Sequence, residues 1–196
     1  MTLLQTKIGM PLHEFMEAVE AQPFELINGE RRIKLPTGYI HSKVIKFLFR
    51  LLDAFVLKTL LGDVFSETTF IMPDKANSNW VEGSRTPDLM VFSAGRIAEY
   101  EAQNSYGDGR PLAMVPDLVI EVVSPNDKVS ELDEKVDAYL LDGVRLIWVI
   151  DPQRRKATVF APDIEQPLHL TVNGVLDGGD VLPGFTVKLV DIVGQE

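Results

Sequence analysis

Two Pro-Asp pairs stand at the head of short apolar runs, Pro87-Asp88 in RTPDLMVF and Pro116-Asp117 in PDLVIEVVSP. The second run carries Glu121 among Ile120, Val122 and Val123, and it leads into a segment bearing Lys135. A carboxylate in such company is costly to desolvate unless it meets a cation or hydrogen-bond donors, so it is not there for packing. Two acids that converge with a lysine make a minimal site for phosphodiester hydrolysis assisted by a divalent metal. Mg2+ suits two carboxylates together with retained waters and phosphate oxygens. The ion would lower the pKa of an attacking water and neutralise charge building on the scissile phosphate. The lysine would orient that water or stabilise the pentacovalent transition state.

Spacing decides which acids can share an ion. Side chains alternate along a strand, so Asp117, Val119, Glu121 and Val123 share one face. Asp117 and Glu121 are four residues apart, about 13 Å at strand rise, too far for one metal. Asp88 has no such restriction, because its strand can lie beside the Glu121 strand. The metal is therefore assigned to Asp88 and Glu121, with Asp117 shaping the start of its strand and remaining the rival to Asp88. Lys135 falls on the flank of a helical stripe, from which its long side chain can reach the sheet edge. Pairing with Glu131 at i−4 is the competing reading, and the residues leave both open. Tyr139, one turn after Lys135, could hydrogen-bond near the site, but its place on the apolar stripe favours packing; Trp148 reads as core, and His13 and His169 have no partners at metal-ligand spacing.

These residues need elements to position them. Leu12, Phe15, Met16 and Val19 predict a helix from Pro11 to about Ala21. FELI-NG-ERRIKL predicts a hairpin, with Asn28-Gly29 supplying two positive φ angles. A long apolar helix is expected from about Ile40 to Leu61, closed by Gly62, then a strand from Val64 to Met72 and a polar loop over 74–84. The runs 86–92 and 117–123 read as buried central strands. Between them, 93–115 reads as an irregular loop and a candidate lid. Ser124-Pro125-Asn126-Asp127 predicts a helix start capped by Ser124, and Gly143 a helix end. The run 144–151 returns as a strand, which predicts a right-handed crossover. Short strands with Gly/Pro turns fill the remainder.

A chain of 196 residues with 45% apolar and 24% charged residues is long enough for one well-buried α/β domain. The absence of cysteine excludes a disulfide framework, a thiolate metal site and a cysteine nucleophile. The N-terminus lacks the apolar core of a signal peptide and no stretch approaches membrane-spanning length, so a cytoplasmic protein with no membrane partner is expected. The net charge of −10 argues against wholesale coating by nucleic acid, but it is uneven. Residues 1–62 hold 8 Lys/Arg and 6 Asp/Glu, whereas residues 63–196 hold 11 and 23. The basic residues Arg31, Arg32, Lys34, Lys43, Lys46, Arg50 and Lys58 either form a face for a polyanion or an ordinary solvated surface.

The string PDLVIEVVSP, with DEKVDAYLLDGVRLIWVIDP after it, resembles the Uma family of putative restriction endonucleases within the PD-(D/E)XK nuclease superfamily. FELINGE, His41 at the opening of the long helix, RTPDLMVF and VLPGFTVKL resemble the same family, so the likeness covers about residues 10–190. It implies an α/β (α+β) architecture in a single domain over 1–196. A restriction-endonuclease-like core, a mixed central sheet flanked by helices, would carry an N-terminal hairpin and a β-rich C-terminal tail. It also implies Mg2+-dependent cleavage of DNA, with Mn2+ as a substitute metal. Asp88 matches the motif's first aspartate and Glu121 its second acid. The superfamily pattern places lysine two residues beyond the second acid, where this chain has Val123. The family implies that the lysine has migrated onto the following helix, where Lys135 fits. Glu25 and His41 match recurring family positions. Glu25 would serve as a further metal-shell ligand or pair with a base of its own hairpin. His41 would contact phosphate, serve in acid–base chemistry, or act as a structural hydrogen-bonder.

Three function classes follow. The first is a Mg2+-dependent endodeoxyribonuclease, for which a homodimer would supply the two symmetry-related sites that double-strand cleavage requires. The second is a catalytically inactive nuclease-fold module that binds nucleic acid or another partner, supported by Val123 and the acidic charge. The third is a metal-free hydrolase using paired carboxylates as acid and base. No Ser/His/Asp order or phosphate-binding Gly-rich loop supports a serine hydrolase or a nucleotide-binding protein.

Overall fold

The computed structural model describes residues 8–104 and 109–194. Residues 1–7, part of the stretch read as lacking a leader, and residues 105–108, within the expected lid, lie outside them. The chain opens with β1 (Met10–Pro11) and α1 (Leu12–Ala21), then the hairpin of β2 (Phe24–Ile27) and β3 (Glu30–Ile33), and the long α2 (Tyr39–Thr59). Next come β4 (Gly62–Ser66), β5 (Phe70–Asp74), β6 (Asn77–Arg85), β7 (Leu89–Ser93) and α3 (Ala94–Gln103). After them stand β8 (Leu118–Val122), α4 (Val129–Asp142) and β9 (Leu146–Asp151). The chain then runs through β10 (Lys156–Phe160), β11 (Leu168–Leu170), β12 (Val175–Asp177), β13 (Thr186–Lys188) and α5 (Leu189–Val193).

A six-stranded mixed sheet in the order β11-β10-β9-β8-β7-β4 forms the centre. β8 and β9 are parallel and joined through α4, while every other neighbouring pair in this sheet is antiparallel. Alternation along the central strands feeds two cores. Leu89, Val91, Leu118, Ile120, Val122, Trp148 and Ile150 pack with Val44, Leu48, Leu52 and Val56 of α2. Met90, Phe92, Val119, Ile147 and Val149 pack on the other face with Val136 and Tyr139 of α4 and Ile97 of α3. Trp148 is core as expected, stacked on Phe185 at 6.1 Å. Leu48 and Leu52 are fully buried, so truncating either to alanine should cost about 2–5 kcal/mol.

The N-terminal hairpin does not hang off this sheet; it belongs to a second, antiparallel sheet in the order β1-β6-β2-β3, with β5 also paired to β6. Asn28 and Gly29 adopt φ of 50° and 82°, the tight turn that pairs Phe24 with Ile33 and Ile27 with Glu30.

Several expectations are corrected. The 74–84 stretch is the β5–β6 hairpin rather than a loop. Asp74 Oδ1 accepts from the backbone of Ala76 and Asn77 to form the turn, and sheet pairing supplies what polar side chains do not advertise. The single strand expected over 64–72 is two strands in different sheets, broken at Glu67 with φ 47°. The first part of the expected 93–115 lid is helix α3 (Ala94–Gln103), whose weak apolar stripe buries only Ile97. α2 ends on Leu60 in the left-handed region rather than on Gly62. Gly62 instead begins β4, where a Cβ would sit 2.2 Å from the Phe92 carbonyl oxygen. Ser124 does not cap α4, which starts at Val129; residues 124–127 form a turn in which the Ser124 N–H donates to Asp127 Oδ2.

Candidate active site

The antiparallel register of β7 and β8 sets Leu89 opposite Ile120, Met90 opposite Val119 and Val91 opposite Leu118. One step further, Asp88 comes opposite Glu121, as cross-strand neighbours whose Cβ atoms lie about 5 Å apart in such a pair. Both carboxylates are buried and line a cavity of about 160 Å³ together with Glu25, His41 and Lys135. All five sequence-derived candidates therefore meet. They come from four elements and one connection: Glu25 from β2, His41 from the first turn of α2, Asp88 from the link before β7, Glu121 from β8 and Lys135 from α4.

Lys135 Nζ lies 2.9 Å from Glu121 Oε1 and 3.0 Å from Glu25 Oε1. The solvated pairing with Glu131 does not form; Glu131 pairs with Lys128 instead. α4 is held against the second sheet on both sides of Lys135, by Arg32 to Glu134 at 2.8 Å and Arg85 to Asp142 at 3.1 Å. One turn beyond Lys135, the buried Tyr139 hydroxyl donates to Glu121 Oε1. Packing is therefore only half of its role. His41 Nε2 lies 3.1 Å from Asp88 Oδ2, and the Val122 N–H donates to the same oxygen at 2.7 Å. The Thr86 N–H donates to Glu25 Oε1 at 2.6 Å. Glu25 thus pairs with a lysine of α4, not with its own hairpin.

A pattern runs through all three acids. In each, one oxygen takes two donors, while Asp88 Oδ1, Glu121 Oε2 and Glu25 Oε2 have no partner among the described residues. The acids also outnumber the cations. Burial, opposed by Lys135, pushes the Glu121 carboxyl up to about 7, and Asp88 and Glu25 push it the same way. Burial works to lower the Lys135 ammonium, but the Glu121 and Glu25 charges outweigh it and hold the pKa above the usual lysine value. Burial works to raise Asp88, but the hydrogen bond and charge of His41 outweigh it and bring the group below its ordinary value. His41 mirrors this: burial works to lower it, and Asp88 draws it above its ordinary value. Burial and the neighbouring carboxylates drive the Tyr139 phenol well up, so it stays a donor.

Among the described residues no three His, Cys, Asp or Glu side chains gather as a metal-ligand set on their own. A hard cation nevertheless fits the donors present. Two opposed carboxylates each keep an unpaired oxygen in a cavity short of positive charge, and Mg2+ takes few protein ligands and keeps its waters.

The rival, Asp117, lies apart from the other candidates and does not line their cavity. Asp117 sits at the far end of β8, where it accepts from the Ser93 N–H at 2.8 Å and pairs with Arg96 at 2.8 Å and Arg145 at 3.4 Å. Val123 donates its N–H to Ile150, packs into the second core and lines a neighbouring cavity, so an apolar side chain suits its place. His169 shares a surface hydrogen bond with Thr158 at 3.1 Å. The residues that sequence reasoning missed are backbone donors, Thr86 and Val122, whose roles carry no side-chain signal. No helix among the described residues is long and apolar enough to cross a membrane.

Comparison with solved structures finds a putative nuclease belonging to DUF820 from Anabaena variabilis. It is 19% identical, with 94% of this chain and 97% of that chain covered at a TM-score of 0.76, so the two share a fold. A cryo-EM structure of a DrdV–DNA complex matches at 13% identity over 79% of this chain and 90% of that chain, with a TM-score of 0.32, too low to carry an argument. No curated protein matches the sequence. The model of the Uma2 family, described as putative restriction endonuclease, matches residues 12–190, and the chain belongs to that family.

Proposed function

We propose that this protein is a Mg2+-dependent DNA endonuclease with Asp88 and Glu121 as the metal ligands and Lys135 as the catalytic cation. The observation that carries this reading is the pair of opposed carboxylates, each with one oxygen tied down and one free, beside a buried ammonium. A bound Mg2+ supplies a more acidic water and neutralises charge on the scissile phosphate. The chain's own groups do the positioning. The His41 Nε2–H and the Val122 N–H both hold Asp88 Oδ2, which leaves Oδ1 for the ion. Tyr139 and Lys135 hold Glu121 Oε1 in the same way, which leaves Oε2. Lys135, kept protonated by Glu121 and Glu25, has a third N–H to offer a water or a non-bridging phosphate oxygen. Glu25 fixes that ammonium between two elements and adds negative charge that favours a second water or cation. His41 is a positioning residue in this scheme.

Purified protein should nick supercoiled plasmid in Mg2+ or Mn2+, and Glu121→Ala should abolish the nicking. Absence of cleavage across both metals and a range of pH would sink the reading. Linearisation without accumulated nicks would point to paired copies acting together, since cutting both strands needs two sites.

A second reading keeps the fold and discards the chemistry: a nucleic-acid-binding module, favoured by Val123 where the superfamily pattern has lysine. DNA affinity with neither cleavage nor heat of Mg2+ binding would select it.

A further inference from the structure

Rows of exposed apolar and cationic side chains rise beside the cavity and are used by nothing described so far. Leu35, Tyr39 and Ile40 are 62%, 78% and 56% exposed, in the β3–α2 connection and the first turn of α2. Leu35 and Thr37 line the cavity that holds Asp88 and Glu121, as does His41, so this rim is continuous with the site. Exposed large apolar groups clustered at a site mouth mark a contact surface rather than random exposure.

Charge says what the surface contacts. Residues 31–50 carry Arg31, Arg32, Lys34, Lys43, Lys46 and Arg50 and not one Asp or Glu, in a chain of net charge −10. Arg32 and Lys34 are occupied, by Glu30 and Glu134 and by the Thr86 carbonyl. Lys43, Lys46 and Arg50 are solvent-exposed and have no ion pair or hydrogen bond among the described residues. At 100° per residue, Tyr39, Lys43, Lys46 and Arg50 fall within about 60° of one another, a stripe about 16 Å long on the solvent face of α2, opposite His41 and Leu48, that reaches the rim only at Tyr39. A partner that satisfies an aromatic ring and a row of cations together is a nucleic-acid strand, with phosphates along the lysines and an unpaired base on the ring. The cavity below, about 160 Å³, has room for a phosphate and its hydration.

We infer that this rim and stripe form the substrate track for single-stranded or locally opened DNA. Lys43, Lys46 and Arg50 guide the backbone, and Leu35, Tyr39 and Ile40 hold the base next to the scissile phosphate. The inference rests on the nuclease reading above and adds the strand path and the substrate form.

Fluorescence anisotropy with a short labelled single strand and its duplex, in EDTA, reads binding apart from cleavage; plasmid and oligonucleotide cleavage in Mg2+ is read separately. Lys43→Glu combined with Lys46→Glu should weaken single-strand binding about tenfold or more and flatten its salt dependence. Tyr39→Ala should weaken single-strand binding about tenfold and duplex binding less. Lys188→Glu, exposed on the C-terminal strand, should change neither. All are surface changes, and unchanged melting temperatures would confirm intact folding. Wild-type affinity in the stripe and ring variants overturns the track even if the protein cleaves DNA. Loss of binding in those variants with no cleavage by wild type supports the track and rejects the nuclease reading. Self-association abolished by Tyr39→Ala, with no DNA binding by wild type, overturns the track and assigns the face to a second copy.

Discussion

Two tripeptides of identical sequence, Pro87-Asp88-Leu89 and Pro116-Asp117-Leu118, end in opposite chemistry. Each aspartate heads one of two antiparallel strands, so the two lie at opposite ends of the same pair. Each uses Oδ2 in the same way, accepting an N–H from the tail of the other strand: Val122 for Asp88 at 2.7 Å, Ser93 for Asp117 at 2.8 Å. They differ at Oδ1. For Asp117 it meets Arg96 and Arg145, whose guanidiniums neutralise it from the solvent side. For Asp88 it meets no protein donor among the described residues, and the facing strand brings a second acid. One aspartate is electrically complete and serves as a strand clip. The other is incomplete, and an incomplete buried carboxylate pair is what a cation can enter.

This contrast should be easiest to break by removing an acid. Asp88→Asn or Glu121→Ala should lower cleavage about a thousandfold or more in a plasmid assay, whereas Asp117→Asn should leave the rate of the folded protein near wild type. If Asp117→Asn proved as inactive as Asp88→Asn, the two ends would not differ in chemistry. Lys135→Met should cost about a hundredfold in rate, read at saturating Mg2+ so that lost metal affinity does not mimic lost catalysis. In stability the order reverses. Asp117→Asn should cost about 2–3 kcal/mol in urea unfolding, because two arginines and an amide lose a charged partner.

Titration sharpens the comparison. The Glu121 pKa is about 7 in the folded protein against an ordinary 4.5. Across that window the native state keeps a proton the unfolded chain has released, so stability should fall as pH rises toward 7. His41, also raised, adds stability below its ordinary 6.5 that is lost as pH passes its folded value. Asp88, lowered, works the other way, but only below its ordinary 3.8. The melting temperature of metal-free protein should therefore drop between about pH 5 and pH 8. Glu121→Gln should flatten the part below pH 7, and Mg2+ should raise the melting temperature more at the upper end. A metal-free profile that climbed with pH would contradict the acid excess. The smallest effect is expected from Tyr139→Phe, which deletes one donor to Glu121 and should cost about 1–2 kcal/mol in stability with a modest loss of rate.

What could be read from sequence alone was local. Asn28-Gly29 announced its turn because two positive φ angles are a property of those two residues. Ile120, Val122 and Val123 announced a buried strand, and with it the cost of Glu121, because desolvation depends on near neighbours in the chain. The flank position of Lys135 followed from helical periodicity. The polar helix α3 and the β5–β6 hairpin went unseen because their side chains carry little apolar pattern and sheet partners hold the hairpin. Spacing had already kept Asp117 and Glu121 apart. That Asp88 rather than Asp117 faces Glu121 was decided by an antiparallel register. That Glu25, Thr86 and Tyr139 close around the same acids was decided by a second sheet folding against α4. Register and sheet packing join residues distant in the chain, so no local window contains them.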